Sequence, residues 1–251
     1  MSSTHLAASV ESMTQKSKDN TSRSVWSLVW EAVLIIGLAF ALLVGTQAFI
    51  GRPYVIPSAS MEPTLHGCEG CTNDRIIVEK LSYYFSDPNP GDVVVFEGPD
   101  AWNVGFTVDR SNNVMVRGVQ NLVAAAGLRP NTKNILVKGV IATEGDTVQC
   151  REGDPGVMVN GTKTNDSFIK SPPDMEIPST VGSDECGGKY FGPLTVPEGN
   201  LFVMGDNRTN SLDSRYHLGD QLQGTIPVSH VKGRVRAVFY PSFHSVGSET
   251  V

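Results

Sequence analysis

The sequence predicts a mainly β body behind one N-terminal transmembrane helix, and three observations carry that reading. A long apolar run lies near the N-terminus. The residues after it fall into short segments rich in β-branched types, separated by Gly, Pro, Asn and Asp. Helical periodicity is nearly absent among those segments.

The first element is a tail. Residues 1–24 are rich in Ser and Thr, carry Lys16, Lys18 and Arg23, and have no apolar period, which predicts a disordered cytoplasmic segment. From Val25 the chain reads VWSLVWEAVLIIGLAFALLVGTQAFI to Ile50, with Glu31 as its only charge. The 19 uncharged residues from Ala32 to Ile50 match the roughly 20 needed to cross a hydrocarbon core. The run shows no polar face of the kind a buried globular helix would carry. Glu31 lies beside Trp26 and Trp30, residues that favour the headgroup level. A cleaved secretion signal is the competing reading, but its apolar core is about 7 to 15 residues long. No convincing small-x-small site follows, and an uncleaved anchor over 25–50 is expected. Three basic residues precede the span and only Arg52 follows it closely, which leaves the tail in the cytoplasm and residues 51–251 outside.

Four cysteines, Cys68, Cys71, Cys150 and Cys186, fit that oxidising side of the membrane. Three pairings are open to them. The CEGC spacing suggests a thioredoxin-like or zinc site, yet no strand-loop-helix context surrounds it and the other two cysteines come singly. Cys68 with Cys71 and Cys150 with Cys186 is the favoured pairing. His66, His217, His230 and His244 lack metal-ligand spacing and are expected at the surface or in turns. The formal charge of −6, from 20 basic and 26 acidic residues, offers no basic patch for nucleic acid.

Beyond Leu65 the expected strands are RIIVE, DVVVF, NILVKGVI, TVQC, GVMVNGTK, NLFVMG, GTIPV and VKGRVRAVFY. Asn160-Gly161 is a type I′ hairpin signal. A weak helical pattern stands near Asn121 to Ala126. The stretches 97–134 and 161–192 are polar and rich in Gly and Pro, and they are expected as surface insertions on one β-rich body over 51–251.

Three sites could carry chemistry. In IPSASMEPTLHG, from Ile56, each proline biases the residue before it towards extended backbone, which puts Ser60 on a stiffened, non-helical segment. A Ser/Pro linker is the plainer reading of the same residues. Lys138 stands between Leu136-Val137 and Val140-Ile141 in a run that should be buried, and buried lysines are rare unless paired or neutral. Burial lowers a lysine pKa and frees the amine to act as a base, whereas a strand-edge lysine would keep its charge in water. Ser60 is a fitting partner, since serine needs a base and Ser-Lys pairs are an accepted variant of that arrangement. The SxxK matches at Ser167–Lys170 and Ser229–Lys232 occur at chance level and lack accompanying motifs. Finally GDNRTNSLDSR, from Gly205, packs Asp206, Asn207, Arg208, Asn210, Ser211, Asp213, Ser214 and Arg215 into eleven residues, as either a surface turn or a buried scaffold.

Taken in order behind a membrane span, PSASMEPTL from Pro57, GDVVVF from Gly91, LVKGVI from Leu136 and GDNRTNSLDSR from Gly205 closely resemble the bacterial type I signal peptidases. The likeness is strongest for the single-span forms of Gram-positive, and in particular actinobacterial, cells. The resemblance implies a β-rich catalytic body with serine endopeptidase activity, in which Ser60 is the nucleophile and Lys138 the general base. It further implies that Ser58 serves the oxyanion hole beside the backbone N–H of Ser60, and that Ser211 orients the Lys138 amine. Asp206, Arg208, Asp213 and Arg215 would hold the site together. The implied partners are secretory preproteins with Ala-x-Ala sites, bound as an extended strand, and the lipid bilayer; no cofactor, metal or nucleic acid is implied. Two departures stand out. Gly139 follows Lys138 where a basic residue is usual, and ATEGD replaces LPGD, although the rivals Lys80 and Lys133 lack apolar flanks. A narrow-range Ser-Lys processing peptidase and a non-enzymatic anchored extracellular β-domain are the alternative readings.

Overall fold

The computed structural model describes residues 25–49, 51–102 and 134–247. The chain divides into two compact units, Met1–Val44 and Gly45–Val251. Among the described residues one α-helix, α1 (Val25–Phe49), begins in the first. Its stretch Val25–Leu43 is long and apolar enough to cross a membrane, and Trp26, Trp30, Leu34 and Ile36 on it are all exposed. A helix apolar on every side suits a lipid environment rather than an aqueous one.

The second unit is mainly β. In chain order its first strands are β1 (Gly51–Val55), β2 (Arg75–Glu79), β3 (Val93–Glu97), β4 (Ile135–Thr143) and β5 (Thr147–Cys150). Short pieces follow: β6 (Met158–Val159), β7 (Thr162–Lys163), β8 (Gly182–Ser183) and β9 (Gly188–Lys189). The last are β10 (Phe191–Thr195), β11 (Asn200–Met204), β12 (Ile226–Pro227), β13 (Val231–Tyr240) and β14 (His244–Ser245). One sheet runs β1-β2-β13-β3-β4-β11-β12, with β14 on β13; a second runs β10-β5-β6-β7, and β8-β9 is a separate hairpin.

Burial explains the strand patterns. On β2 the residues alternate, with Ile76 and Val78 inside and Arg75 and Ile77 outside, as one covered face requires. The run Val93–Phe96 on β3 is buried on both faces, which is why that segment reads as unbroken apolar sequence. One core gathers Ile76, Val78, Val93, Val95, Val235 and Val238 with Met61 and Leu65. A second gathers Ile141, Val148, Cys150, Cys186, Phe191, Phe202 and Met204. A third, with Val94, Phe96, Val140, Leu201, Val203 and Ile226, covers the opposite side of β3 and β4.

Two of the strands that sequence patterning missed share a cause. β1 contains Pro53 and closes one edge of the large sheet, while β10 contains Pro193 at a register shift and closes one edge of the second. Proline demotes a strand pattern but is tolerated at edges and bulges. Asn160 and Gly161 take positive φ of 52° and 79° in the turn between β6 and β7, as a type I′ turn demands. The tail 1–24, the helical pattern near Asn121 and residues 103–133 of the stretch 97–134 lie outside the described residues. The stretch 161–192 is more than a surface excursion, because Cys186 within it is fully buried in the second core.

Cys150 is joined to Cys186 across 36 residues, and Cys68 to Cys71 across three. Chain-entropy reasoning gives the longer loop about 3 to 4 kcal/mol of stabilisation. Replacing Cys150 and Cys186 together by Ser should therefore lower the unfolding midpoint markedly, and replacing Cys68 and Cys71 should lower it far less. Calorimetry of the two double variants checks the order, and equal losses would contradict it.

Candidate active site

The serine segment is held between its prolines but is not extended throughout. Ser58 is extended, with φ −139° and ψ 157°, yet Ala59–Met61 form a single 3-10 turn. This corrects the expectation of a non-helical Ser60. Pro63 restricts only the residue before it, and Glu62 does adopt φ −66° and ψ 141°. One turn fits in the space left, closed by the Glu62 N–H donating to Ala59 O. Met61 and Leu65, 1% and 0% exposed, pin the turn to the first core, each burial stabilising by about 1.5 to 3 kcal/mol. Ser60 is left half-buried, facing solvent.

Lys138 reaches Ser60 from behind. It lies on β4, paired with Val94 of β3 on one side, while its neighbour Gly139 pairs with Met204 of β11 on the other. Its Nζ is 2.6 Å from Ser60 Oγ, across 78 residues of sequence, and the side chain is 3% exposed. Burial brings the ammonium down from 10.5 to about 8, against the opposing pull of Asp213 and Asp206 and with some help from Arg215. At that value about one amine in ten is neutral at pH 7. Such an amine can accept the Ser60 hydroxyl proton. Ser58 Oγ lies 3.3 Å from Ser60 Oγ, so both hydroxyls share one small region.

The loop after β11 closes the site. A Cβ at Gly205 would lie 2.4 Å from Ser60 O and 2.3 Å from Ser211 Oγ, so only glycine lets the serine turn approach this closely. The Asn207 N–H donates to Ser60 O at 3.2 Å, and its Nδ2 donates to Ala59 O at 3.1 Å. Asp213 and Arg215 form a fully buried pair at 2.8 Å, and Asp213 also accepts from the Gly205 N–H at 3.0 Å. Arg215 donates further to Gly187 O and Arg208 O, tying the β8-β9 hairpin to the loop. Arg208 is buried beneath that hairpin, where a Cβ on Gly187 would meet its own Cβ at 2.5 Å.

The expected contact of Ser211 with Lys138 is not made. Ser211 Oγ is buried without a hydrogen-bond partner, because the hydroxyl packs into the space that Gly205 leaves open. At Gly139 an added Cβ would find ordinary contacts, 3.5 Å from Met204 O and 3.6 Å from Asp206 Oδ1. The backbone there does not demand glycine.

Sequence spacing also overlooked a cluster. His66, Cys68 and Cys71 bring their potential ligand atoms within 4.8 Å of one another. The two sulfurs are bonded to each other, so they do not offer the thiolates that zinc requires. His66 Nδ1 instead meets Glu62 Oε1 at 2.7 Å.

A serine hydroxyl set against a buried amine on a mainly β body offers a nucleophile and a base of the kind that serine hydrolases with a lysine base use. The family model described as signal peptidase, peptidase S26, matches residues 29–240. A probable signal peptidase I of Mycobacterium leprae (strain TN) is 47% identical over 234 residues, covering 87% of this chain and 77% of its own length. Signal peptidase I of Mycobacterium tuberculosis (strain ATCC 25618 / H37Rv) is 49% identical over 215 residues, 84% of this chain and 70% of its own. Signal peptidase I of Leptolyngbya laminosa is 33% identical over 86% of this chain and 81% of its own length. The chain belongs to the signal peptidase family S26.

Burying Lys138 has a thermodynamic consequence with a definite sign. Its folded pKa lies below the unfolded one, so the unfolded chain binds more protons between about pH 8 and 10.5 and stability rises with pH across that window. The contribution is fully present above 10.5 and lost as pH falls through 8. Lys138→Met should thus unfold at a higher temperature than the parent at pH 7, and the gap should narrow by pH 10. A parent more stable than the variant at pH 7 would contradict the burial account.

Proposed function

We propose that this protein is a membrane-anchored signal peptidase I that cleaves N-terminal signal peptides from exported preproteins after small residues of the Ala-x-Ala type. Ser60 is its nucleophile and Lys138 its general base. The observation that carries the reading is the 2.6 Å contact between the half-buried Ser60 hydroxyl and an almost wholly buried amine. The relatives named signal peptidase I at 47% and 49% identity support the substrate class.

The chemistry follows from the geometry. The neutral Lys138 amine takes the Ser60 proton as Oγ attacks the scissile carbonyl, and the carbonyl oxygen becomes an oxyanion. Ser58 Oγ and the Ser60 N–H supply donors to that oxygen, where prearranged dipoles act more strongly than water. The Lys138 ammonium returns the proton to the leaving amine. Water, deprotonated by Lys138 in turn, then hydrolyses the acyl-enzyme. Asp213 and Arg215 keep the loop behind Lys138 rigid. The apolar helix anchors the enzyme with residues 1–24 in the cytoplasm and the β unit outside, where the bilayer also holds the substrate's own apolar segment.

Detergent-solubilised protein should cleave a peptide with an Ala-x-Ala site on the carboxyl side of the second Ala. Ser60→Ala and Lys138→Ala should abolish cleavage; Lys138→Ala retaining more than about a tenth of the rate, against the typical hundredfold contribution of an acid-base group, would unseat Lys138. Ser58→Ala should lower kcat by about 10² to 10³ with KM nearly unchanged, since it removes one donor aimed at developing charge. Parent-like kcat in that variant would remove Ser58 from the oxyanion hole.

Acid should silence the enzyme reversibly. Only the neutral amine is active, so kcat/KM should climb with pH and level off above about 8. Gly139→Arg places a second cation next to Lys138 and should move that inflection to lower pH. A pH–rate profile of both proteins reads the shift, and an inflection that stays or rises would contradict the assigned base.

A further inference from the structure

We propose that Lys170, together with Asp174, is a positioning residue for Ser60, closing a ring of polar contacts around the turn that carries the nucleophile. The inference rests on the assignment of Ser60 above. Lys170 Nζ lies 2.6 Å from Glu62 Oε2 and 2.9 Å from Asp174 Oδ1. Asp174 Oδ2 accepts from Asn207 Nδ2 at 2.7 Å, and the same amide donates to Ala59 O at 3.1 Å. The path Ala59–Asn207–Asp174–Lys170–Glu62 thus returns to the backbone it left, three residues on, with Ser60 between its ends. The Lys170 N–H also donates to Asp206 O at 3.0 Å. One residue therefore grips the nucleophile turn with its side chain and the loop behind it with its backbone.

The charges suit that task. The bond and charge of Lys170 hold the Glu62 carboxyl below its ordinary range, with His66 on its second oxygen adding to the effect. Asn207 first and Lys170 second do the same for Asp174. The two carboxylates in return raise the Lys170 amine. The members are only partly buried, with side-chain exposures of 15% for Glu62, 28% for Lys170 and 31% for Asp174. Exposed pairs add little to stability, so the ring acts through placement. Misplacing a reacting group by about 1 Å can cost on the order of a hundredfold in rate.

Lys170→Met tests the ring, with Lys163→Met as control. Lys163 pairs with Asp166 at 3.1 Å, outside the ring. Lys170→Met should lower kcat by about 10- to 100-fold at an unchanged KM, with the unfolding midpoint close to the parent's. Hydrogen exchange, read on peptides spanning 57–66 and 205–211, should quicken at the bonds Glu62 N–H to Ala59 O, Leu65 N–H to Met61 O and Asn207 N–H to Ser60 O. Lys163→Met should leave both readouts alone. Parent-like kcat in Lys170→Met, or a loss that tracks only the unfolded fraction, would overturn the proposal. So would unchanged exchange, a reading that needs no activity. A parent enzyme that fails to cleave the peptide would instead defeat the assignment of function, while exchange still judges the ring.

Discussion

Everything in the proposed site depends on one constraint: the Lys138 amine would have to be dry enough to lose its proton near neutrality, yet touch a hydroxyl that water and substrate can reach. β4 satisfies the first half. It lies between β3 and β11, with buried clusters on both faces of the sheet, and five consecutive residues from Lys138 to Ala142 are buried. The serine turn satisfies the second. Met61 and Leu65 sink into the first core while Ser60, next to Met61, stays only half-buried. In a 3-10 turn consecutive side chains point about 120° apart, which is how the chain buries Met61 and presents Ser60 together.

The second constraint is close approach. Ser60 and Lys138 come from strands and turns far apart in sequence, and the loop after β11 has to pass beneath both. Gly205 makes that passage sterically feasible, and Asn207 turns it into hydrogen bonds to two carbonyls of the serine turn. Among the described residues, several buried polar atoms nearby have no hydrogen-bond partner, including Ser211 Oγ, Asn207 Oδ1 and the Nε and Nη2 of Arg208. Unsatisfied buried groups usually destabilise by about 1 to 3 kcal/mol each, and they concentrate where function overrides packing. Their clustering in the one loop that abuts Ser60 agrees with the site's location.

Much of this was legible in the sequence, for identifiable reasons. The strand of Lys138 was plain because β-branched residues flank it. The pairing of Asn160 with Gly161 dictated its own turn. The proline signals marked the serine segment but misjudged its backbone, since a proline constrains its neighbour and not the residue three positions back. β1 and β10 went unread because edge strands tolerate the proline that central strands reject. The contribution of Lys170 and Asp174 was hidden for another reason. Their stretch is polar and rich in Gly and Pro, with no period to betray what it packs against, and Ser167–Lys170 carried only a motif that chance explains. Long-range ion pairs leave no local signature.

The electrostatics show why the loop carries a pair of charges where one would seem enough. Asp213 alone, buried near Lys138, would stabilise the ammonium and return its pKa towards the solution value. Arg215 offsets part of that field: it holds the Asp213 carboxyl ionised and low, its own guanidinium is held charged by the same carboxylate, and it opposes the proton on Lys138. Seen from the amine, desolvation outweighs the pull of Asp213 and Asp206, and Arg215 adds to it. A buried pair of this kind adds little net stability compared with apolar residues of the same size. What it provides is a rigid wall with three outward hydrogen bonds, holding Gly205, Gly187 and Arg208 in register beside the amine.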